Sequence, residues 1–241
     1  MTVATDSQMR IGPASPHWPA GFDAHLDVPD GNAARNLEAS ACRWPTRPAL
    51  HYYGRTTSYA ALQAQVLAIA GYLQHLGVAK GDRVLLYMQN APQFVIAFNA
   101  ILRANAIVVP LNPMNTTEEL RHYVQDSGAR LAFVGDELLD RIRALKSDGL
   151  DHLIVAHYAD AAPDMPLDPL PPVMQEKRVP LERGESDFQT AFDAGHTPGP
   201  ITTGSDDIAV MPYSSGTTAR PKACLHRHST VTFTAAAQAK W

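Results

Sequence analysis

Apolar positions along this chain change their period several times between residues 58 and 156, and each change marks a new element. Leu62, Val66, Ile69, Leu73 and Leu76 recur at alternating spacings of four and three, the rhythm of one helix face, with Ser58 placed to cap the helix and Gly77 to end it. Val84-Leu85-Leu86-Tyr87-Met88 is an unbroken apolar run of strand length. Pro92, whose fixed φ suits a first helical turn, opens a predicted helix with Phe94, Phe98, Ile101 and Leu102 on one side. Ala106 to Leu111 predicts the next strand, and Thr116 with Glu119 makes a capping box for a helix carrying Leu120 and Val124. Strand Leu131 to Val134, helix Leu138 to Leu145 and strand Leu153 to Ala156 continue the series. Upstream, Asn32 is placed to cap a short helix reaching Ala41 and stopped near Pro45. Ala49 to Tyr53 and Thr56-Thr57 flank Gly54-Arg55 as a small hairpin.

Strands and helices that alternate in this way imply a mostly parallel sheet with helices on both faces, so the predicted fold class is α/β. Residues 1–30, rich in Pro, Gly, Asp and Ala without periodicity, read as an extended leader. Residues 31–241 read as the domain proper. Within them, 157–200 is Pro-rich and has few apolar runs besides a short helix near Phe188, so it reads as a long connection over the surface. The apolar run Ile208 to Met211 then returns the chain to the sheet.

A chain of 241 residues with 45% hydrophobic content can fill a sizeable core. Its net charge of −4 and lack of Lys/Arg clusters give no general attraction to nucleic acid or anionic membrane. Cys42 and Cys224 are the two cysteines, too far apart in sequence to suggest a disulfide framework or a zinc site. No apolar stretch reaches membrane-spanning length and no export signal is visible, so a cytoplasmic location is expected.

The chemistry concentrates between Asp206 and His228. The apolar run leads through Pro212 and Tyr213 into Ser214-Ser215-Gly216-Thr217-Thr218 and then Pro221-Lys222. Small hydroxyl residues let backbone N–H groups approach phosphate oxygens, their hydroxyls donate, and a lysine adds positive charge. The pattern departs from the common P-loop, because Lys222 follows Pro221 and Ala223 stands where Ser or Thr would meet Mg²⁺. His226 and His228 form an H-x-H pair with no third metal ligand nearby, and packing or capping is the expected role of His228. Cys224, beside an apolar junction, is expected to be a small buried filler.

The ordered string from Tyr213 to Lys222 resembles the phosphate-loop signature of the adenylate-forming superfamily, which includes acyl-CoA synthetases, peptide-synthetase adenylation domains and beetle luciferases. That signature usually has glycine where Ala219 and Ala223 stand here, which predicts strain if either position needs positive φ. Other stretches are similar to the family in order and spacing. Thr57-Ser58-Tyr59-Ala60-Ala61-Leu62 resembles a T-Y-x-E-L helix start, and Gly81-Asp82-Arg83-Val84 a G-D-R-V turn. Ala100 to Asn112 resembles a strand entry in which Asn105 replaces the usual glycine, and the similarities together cover most of residues 32–241.

The resemblance implies the N-terminal part of the large domain of an acyl-CoA synthetase. Ser214, Ser215, Gly216, Thr217, Thr218 and Lys222 would grip the ATP phosphates, and Mg²⁺ would meet Thr217 or Thr218. The implied reaction activates a carboxylic acid to acyl-AMP and passes the acyl group to CoA. Lys222 to His228 resembles the K-G-C-x-H-x-H form found in fatty-acid–CoA ligases, which favours a medium- or long-chain fatty acid; aryl acids are the competing class. In the family the adenine and ribose contacts, the catalytic lysine and the C-terminal domain come later than this loop. The chain ends at Trp241 inside alanine-rich helical sequence without a stop signal, so truncation, inactivity of these residues alone and self-association through uncovered apolar surface are expected. Two other classes remain open: a Rossmann-type dehydrogenase, disfavoured because Gln89-Asn90-Ala91-Pro92 follows the first long strand instead of a glycine-rich turn, and a non-catalytic nucleotide-binding or interaction module.

Overall fold

The computed structural model describes residues 31–214 and 220–240 together with Gly21, Leu26 and Val28. The leader expected over 1–30 therefore lies almost wholly outside the described residues, as do loop positions 215–219.

Helix α1 (Ala34–Arg43) leads to the hairpin β1 (Pro48–Tyr52) and β2 (Arg55–Ser58). Ser58 then caps α2 (Tyr59–His75) by accepting from the Ala61 backbone N–H at 3.2 Å. Next come β3 (Arg83–Tyr87), α3 (Pro92–Arg103), β4 (Ile107–Pro110) and α4 (Thr117–Ser127), where Thr116 and Glu119 complete the expected capping box. The chain continues through β5 (Leu131–Gly135), α5 (Leu139–Arg143), β6 (His152–Ala156), α6 (Pro172–Gln175), β7 (Glu185–Asp187) and α7 (Phe188–Asp193). It then enters β8 (Ile208–Val210), β9 (Tyr213–Ser214), β10 (Lys222–Ala223), β11 (His226–Arg227) and α8 (His228–Lys240).

Seven strands form the central sheet in the order β11-β8-β4-β3-β5-β6-β7, parallel except for β11 at one edge. Its two faces are both covered, and the period of the strands assigns each side chain. Val84 and Leu86 of β3, Leu131 and Phe133 of β5 and Ile154 of β6 join one core with buried residues of α1, α2, α3 and α7. Leu85 and Tyr87, Ala132 and Val134, and Leu153 and Val155 join the other with α4 and α5. Burial on both faces is why these strands are continuous apolar runs in the sequence.

Several boundaries differ from the sequence expectation. Segment 157–200 does more than connect: Glu185–Asp187 supplies the edge strand β7, and Tyr158, Ala162, Met174, Phe188 and Ala191 are buried in the core. The outer backbone groups of β6 need partners, and a polar Glu-Ser-Asp strand provides them without apolar periodicity. On α3 the buried face is Ile96, Ala97, Ala100, Ile101 and Leu102, whereas Phe94 and Phe98 stack on each other half-buried on the flank. The helix expected over Leu138 to Leu145 is α5 with a 3₁₀ turn on each side, and α1 runs two residues beyond Ala41 to Arg43. Asn32 still feeds that helix, its side-chain oxygen accepting from the Ala34 N–H at 2.7 Å.

Helix α2 is crossed at Gly71 by the chain entering the last third of the fold. A Cβ at Gly71 would lie 2.5 Å from the carbonyl carbon and oxygen of His196 and 2.7 Å from the Thr197 nitrogen. Gly71→Ala is therefore expected to destabilise by about 1–3 kcal/mol, since backbone overlap outweighs the ~1 kcal/mol that alanine gains in a helix interior. Urea denaturation of the variant measures this.

Candidate functional site

The ligand-facing end of a parallel sheet is the carboxyl end of its strands, and the loop singled out in the sequence leaves from there. Strand β8 runs parallel to β4, and the Met211 N–H after it still donates to the Val108 carbonyl at 2.8 Å. Past Pro212 the chain forms a hairpin, β9 against β10, in which Ser214 is paired with Lys222 and Tyr213 with Ala223. The Cys224 N–H closes the base by donating to the Pro212 carbonyl at 2.8 Å. Both ends of the loop are thus tied together, and the exposed side chains of Ser214 and Lys222 stand at its two ends. Ser215, Gly216, Thr217 and Thr218, the other expected phosphate contacts, lie outside the described residues.

Helix α4 seats this hairpin. The Tyr213 hydroxyl donates to Asp126 Oδ2 at 2.6 Å, and His122 Nε2 donates to the Pro221 carbonyl at 2.9 Å. The Tyr123 and Tyr213 rings lie 4.5 Å apart. Burial and the bond to Asp126 push the Tyr213 hydroxyl above the usual phenol range, so it remains a neutral donor at any ordinary pH. None of these seating residues carried a sequence signal. His122 and Asp126 sit on the solvent side of a helix that periodicity describes only by its buried face.

Ala223 lies extended in β10, and among the described residues only Tyr53 and Asn105 combine positive φ with a side chain. The strain expected at Ala223 is therefore absent, because strand pairing never places it in the left-handed region; Ala219 lies outside the described residues.

His228 is fully buried, and its Nδ1 accepts from the Ala33 N–H at 3.1 Å, fastening the start of α1 to the chain behind the loop. Burial lowers its pKa, the Asp207 carboxylate opposes that shift, and Lys80 adds to it. The neutral imidazole with Nδ1 as acceptor is a structural group, as its packing or capping role predicted. His226 pairs with Val210 in the sheet, Cys42 is exposed and Cys224 half-buried, and both cysteines are free thiols. Among the described residues no group of three or more His, Cys, Asp or Glu side chains is placed to hold a metal. A mostly apolar cleft of about 330 Å³ opens beside β8, lined by Val210, His226, Thr230, Val231, Thr234, Ala235 and Gln238. Among the described residues no helix is long and apolar enough to cross a membrane.

A mostly parallel sheet covered by helices on both faces, with the hairpin of Ser214 and Lys222 beyond the carboxyl end of β8, defines an α/β protein. The family described as AMP-binding enzyme matches residues 37–241, and this chain belongs to it. A long-chain-fatty-acid–CoA ligase of Bacillus subtilis (strain 168) is 28% identical over 222 residues, spanning 89% of this chain and 40% of the relative. A 3-hydroxybenzoate–CoA/4-hydroxybenzoate–CoA ligase of Thauera aromatica is 29% identical over 177 residues, 73% of this chain and 31% of the relative. Among solved structures, a benzoate CoA ligase from Burkholderia xenovorans LB400 superposes with a TM-score of 0.65 at 25% identity, covering 85% of this chain and 36% of that one. The chain thus spans well under half the length of these relatives.

Proposed function

We propose that this chain supplies the triphosphate-binding wall of an enzyme that activates a carboxylic acid with ATP and passes the acyl group to CoA. The observation that carries the reading is the hairpin at the carboxyl end of β8, with Ser214 and Lys222 opposed at the ends of a loop of small hydroxyl residues. In the reaction the carboxylate oxygen attacks the α-phosphorus of ATP, the bond to the β-phosphate oxygen breaks, and pyrophosphate leaves with the charge that develops. Lys222 and the donors of 214–218 would hold the β- and γ-phosphates and stabilise that leaving charge. Mg²⁺, arriving with the nucleotide and met by the hydroxyl of Thr217 or Thr218, would add to that neutralisation. The thiol of CoA then displaces AMP from the acyl-AMP.

For the acid, a medium- or long-chain fatty acid is favoured by the run Lys222 to His228. An aryl acid is the second reading, favoured by the hydroxybenzoate and benzoate ligases among the relatives. In the ligase-length protein, Lys222→Ala is expected to raise KM for ATP by about 10- to 100-fold, the worth of one charge-assisted contact, while KM for the acid stays within about twofold. Steady-state kinetics with each substrate varied in turn measure this, and an unchanged ATP dependence removes Lys222 from the site. Pyrophosphate release across a panel of acids decides the class: release with aromatic acids only overturns the fatty-acid reading.

A further inference from the structure

Segment 199–203, which leads from α7 into β8, is held at almost every residue by side chains from α2, α3 and the turns before β3 and β4. Gln74 Oε1 accepts from the Gly199 N–H at 2.8 Å, and Arg103 Nη1 donates to the Gly199 carbonyl at 2.8 Å. Lys80 Nζ donates to the Thr202 carbonyl at 3.1 Å and pairs with Asp207 at 2.9 Å. At the centre is Asn105, only 5% exposed. Its Nδ2 donates to the Pro200 carbonyl at 3.0 Å, and its Oδ1 accepts from the N–H of Thr202 at 2.7 Å, the N–H of Thr203 at 3.1 Å and Thr203 Oγ1 at 3.2 Å. Asn32 Nδ2 donates in turn to that same threonine oxygen. Asn105 has φ of 66°, a left-handed conformation that asparagine tolerates and glycine would adopt more readily. A glycine there would satisfy the backbone and make none of the four side-chain bonds.

The clamp matters because β8 is weakly located by its own ladder. β3 and β4 share four registered pairs, whereas β8 is three residues long and shares one with β4, Val108 with Val210, its other two being with the two-residue edge strand β11. A short strand with so little pairing has a poorly determined position along the sheet. The chain reaches β8 from Thr203 within five residues and leaves it for Ser214 within four, so whatever fixes Thr203 also fixes where the loop departs.

We propose that Asn105 is a positioning residue of the phosphate site, acting through segment 200–203 to set the place of β8 and hence of the loop from Ser214 to Lys222. This rests on the reading of that loop as the phosphate site. The test uses the 241-residue chain, with MgATP as the probe and amide hydrogen exchange of peptides covering 208–211 as the local readout. Asn105→Gly keeps the left-handed backbone without the clamp. Exchange over 208–211 is expected to quicken by about tenfold while β3, β5 and β6 stay protected, with MgATP binding weakened by about fivefold or more. Asn105→Asp keeps the side-chain volume and the accepting oxygen but gives up the donation to the Pro200 carbonyl, so it is expected to keep both readouts closer to the parent than Asn105→Gly does. Lys222→Ala separates the two ideas. If MgATP binds it and the parent chain alike, the phosphate-site reading falls and the proposal with it. If Lys222→Ala weakens binding but Asn105→Gly matches the parent in both readouts, the positioning role alone is overturned. Should Asn105→Gly lose protection throughout, Asn105→Asp decides: weak MgATP binding with 208–211 still protected overturns the role, and retention of both supports it.

Discussion

Residues 1–241 on their own are expected to give no carboxylate-dependent ATP–pyrophosphate exchange above a Lys222→Ala control. In the proposed reading the hairpin of Ser214 and Lys222 is one wall of the site, and the family resemblance places the adenine, ribose and catalytic-lysine contacts later than this loop. The matched relative is consistent with this arithmetic of parts, since only 40% of its length is spanned here. Held by its phosphates alone, ATP is expected to bind in the millimolar range, about −4 kcal/mol. A chain lacking the lysine that the resemblance places later would forgo several kcal/mol more of transition-state stabilisation, and the two losses together are expected to leave no measurable rate. The assay is isotope exchange with purified chain, Mg²⁺ and a fatty acid. Exchange clearly above the control would mean that a complete site lies within these residues.

Glu185→Gln is expected to cost about 3 kcal/mol, the usual scale for breaking a buried ion pair from one side. The Glu185 side chain has no exposed surface; its Oε2 lies 2.8 Å from Arg143 Nη2 and its Oε1 2.8 Å from Lys146 Nζ. Neutralising it leaves two cations facing each other, with the exposed Glu182 at 3.8 and 3.6 Å and the exposed Asp140 3.6 Å from Arg143. In a domain of this size that loss corresponds to a melting temperature lower by roughly 6–12 °C, read in a thermal scan at pH 7. The pH dependence follows the same group. Desolvation opposes its ionisation, but the hydrogen bonds from Arg143 and Lys146 outweigh that and hold its carboxyl down at about 2. A folded-state pKa below the ordinary carboxylate value means the unfolded chain binds the proton first. The stabilisation is full above about pH 4.5 and is lost as pH falls from there toward about 2. A parent and variant whose stabilities differ equally at pH 7 and pH 3 would remove Glu185 as the source.

The buried parallel strands were readable because burial on both faces forces unbroken apolar runs such as Val84 to Met88, and the capping box at Thr116 and the cap at Ser58 because their hydrogen bonds close within three residues of chain. The stretch from Tyr213 to Lys222 was singled out because its residues form one ordered, nearly consecutive string that resembles the family signature. What escaped was held together by distant partners. Strand β7 is three polar residues that exist as a strand only because β6 offers an unpaired edge and Arg143 and Lys146 offer charge to Glu185. The seat of the hairpin joins Asp126 to Tyr213 and His122 to Pro221 across 87 and 99 residues. Asn105 looked like a departure from a glycine position, and its four bonds to 200–203 span nearly a hundred residues. Local periodicity and consecutive motifs carry backbone conformation and the kind of chemistry, because both depend on near neighbours. The placement of β8 and of Lys222 depends on side chains that meet backbone groups far along the chain, and such contacts leave no period to read.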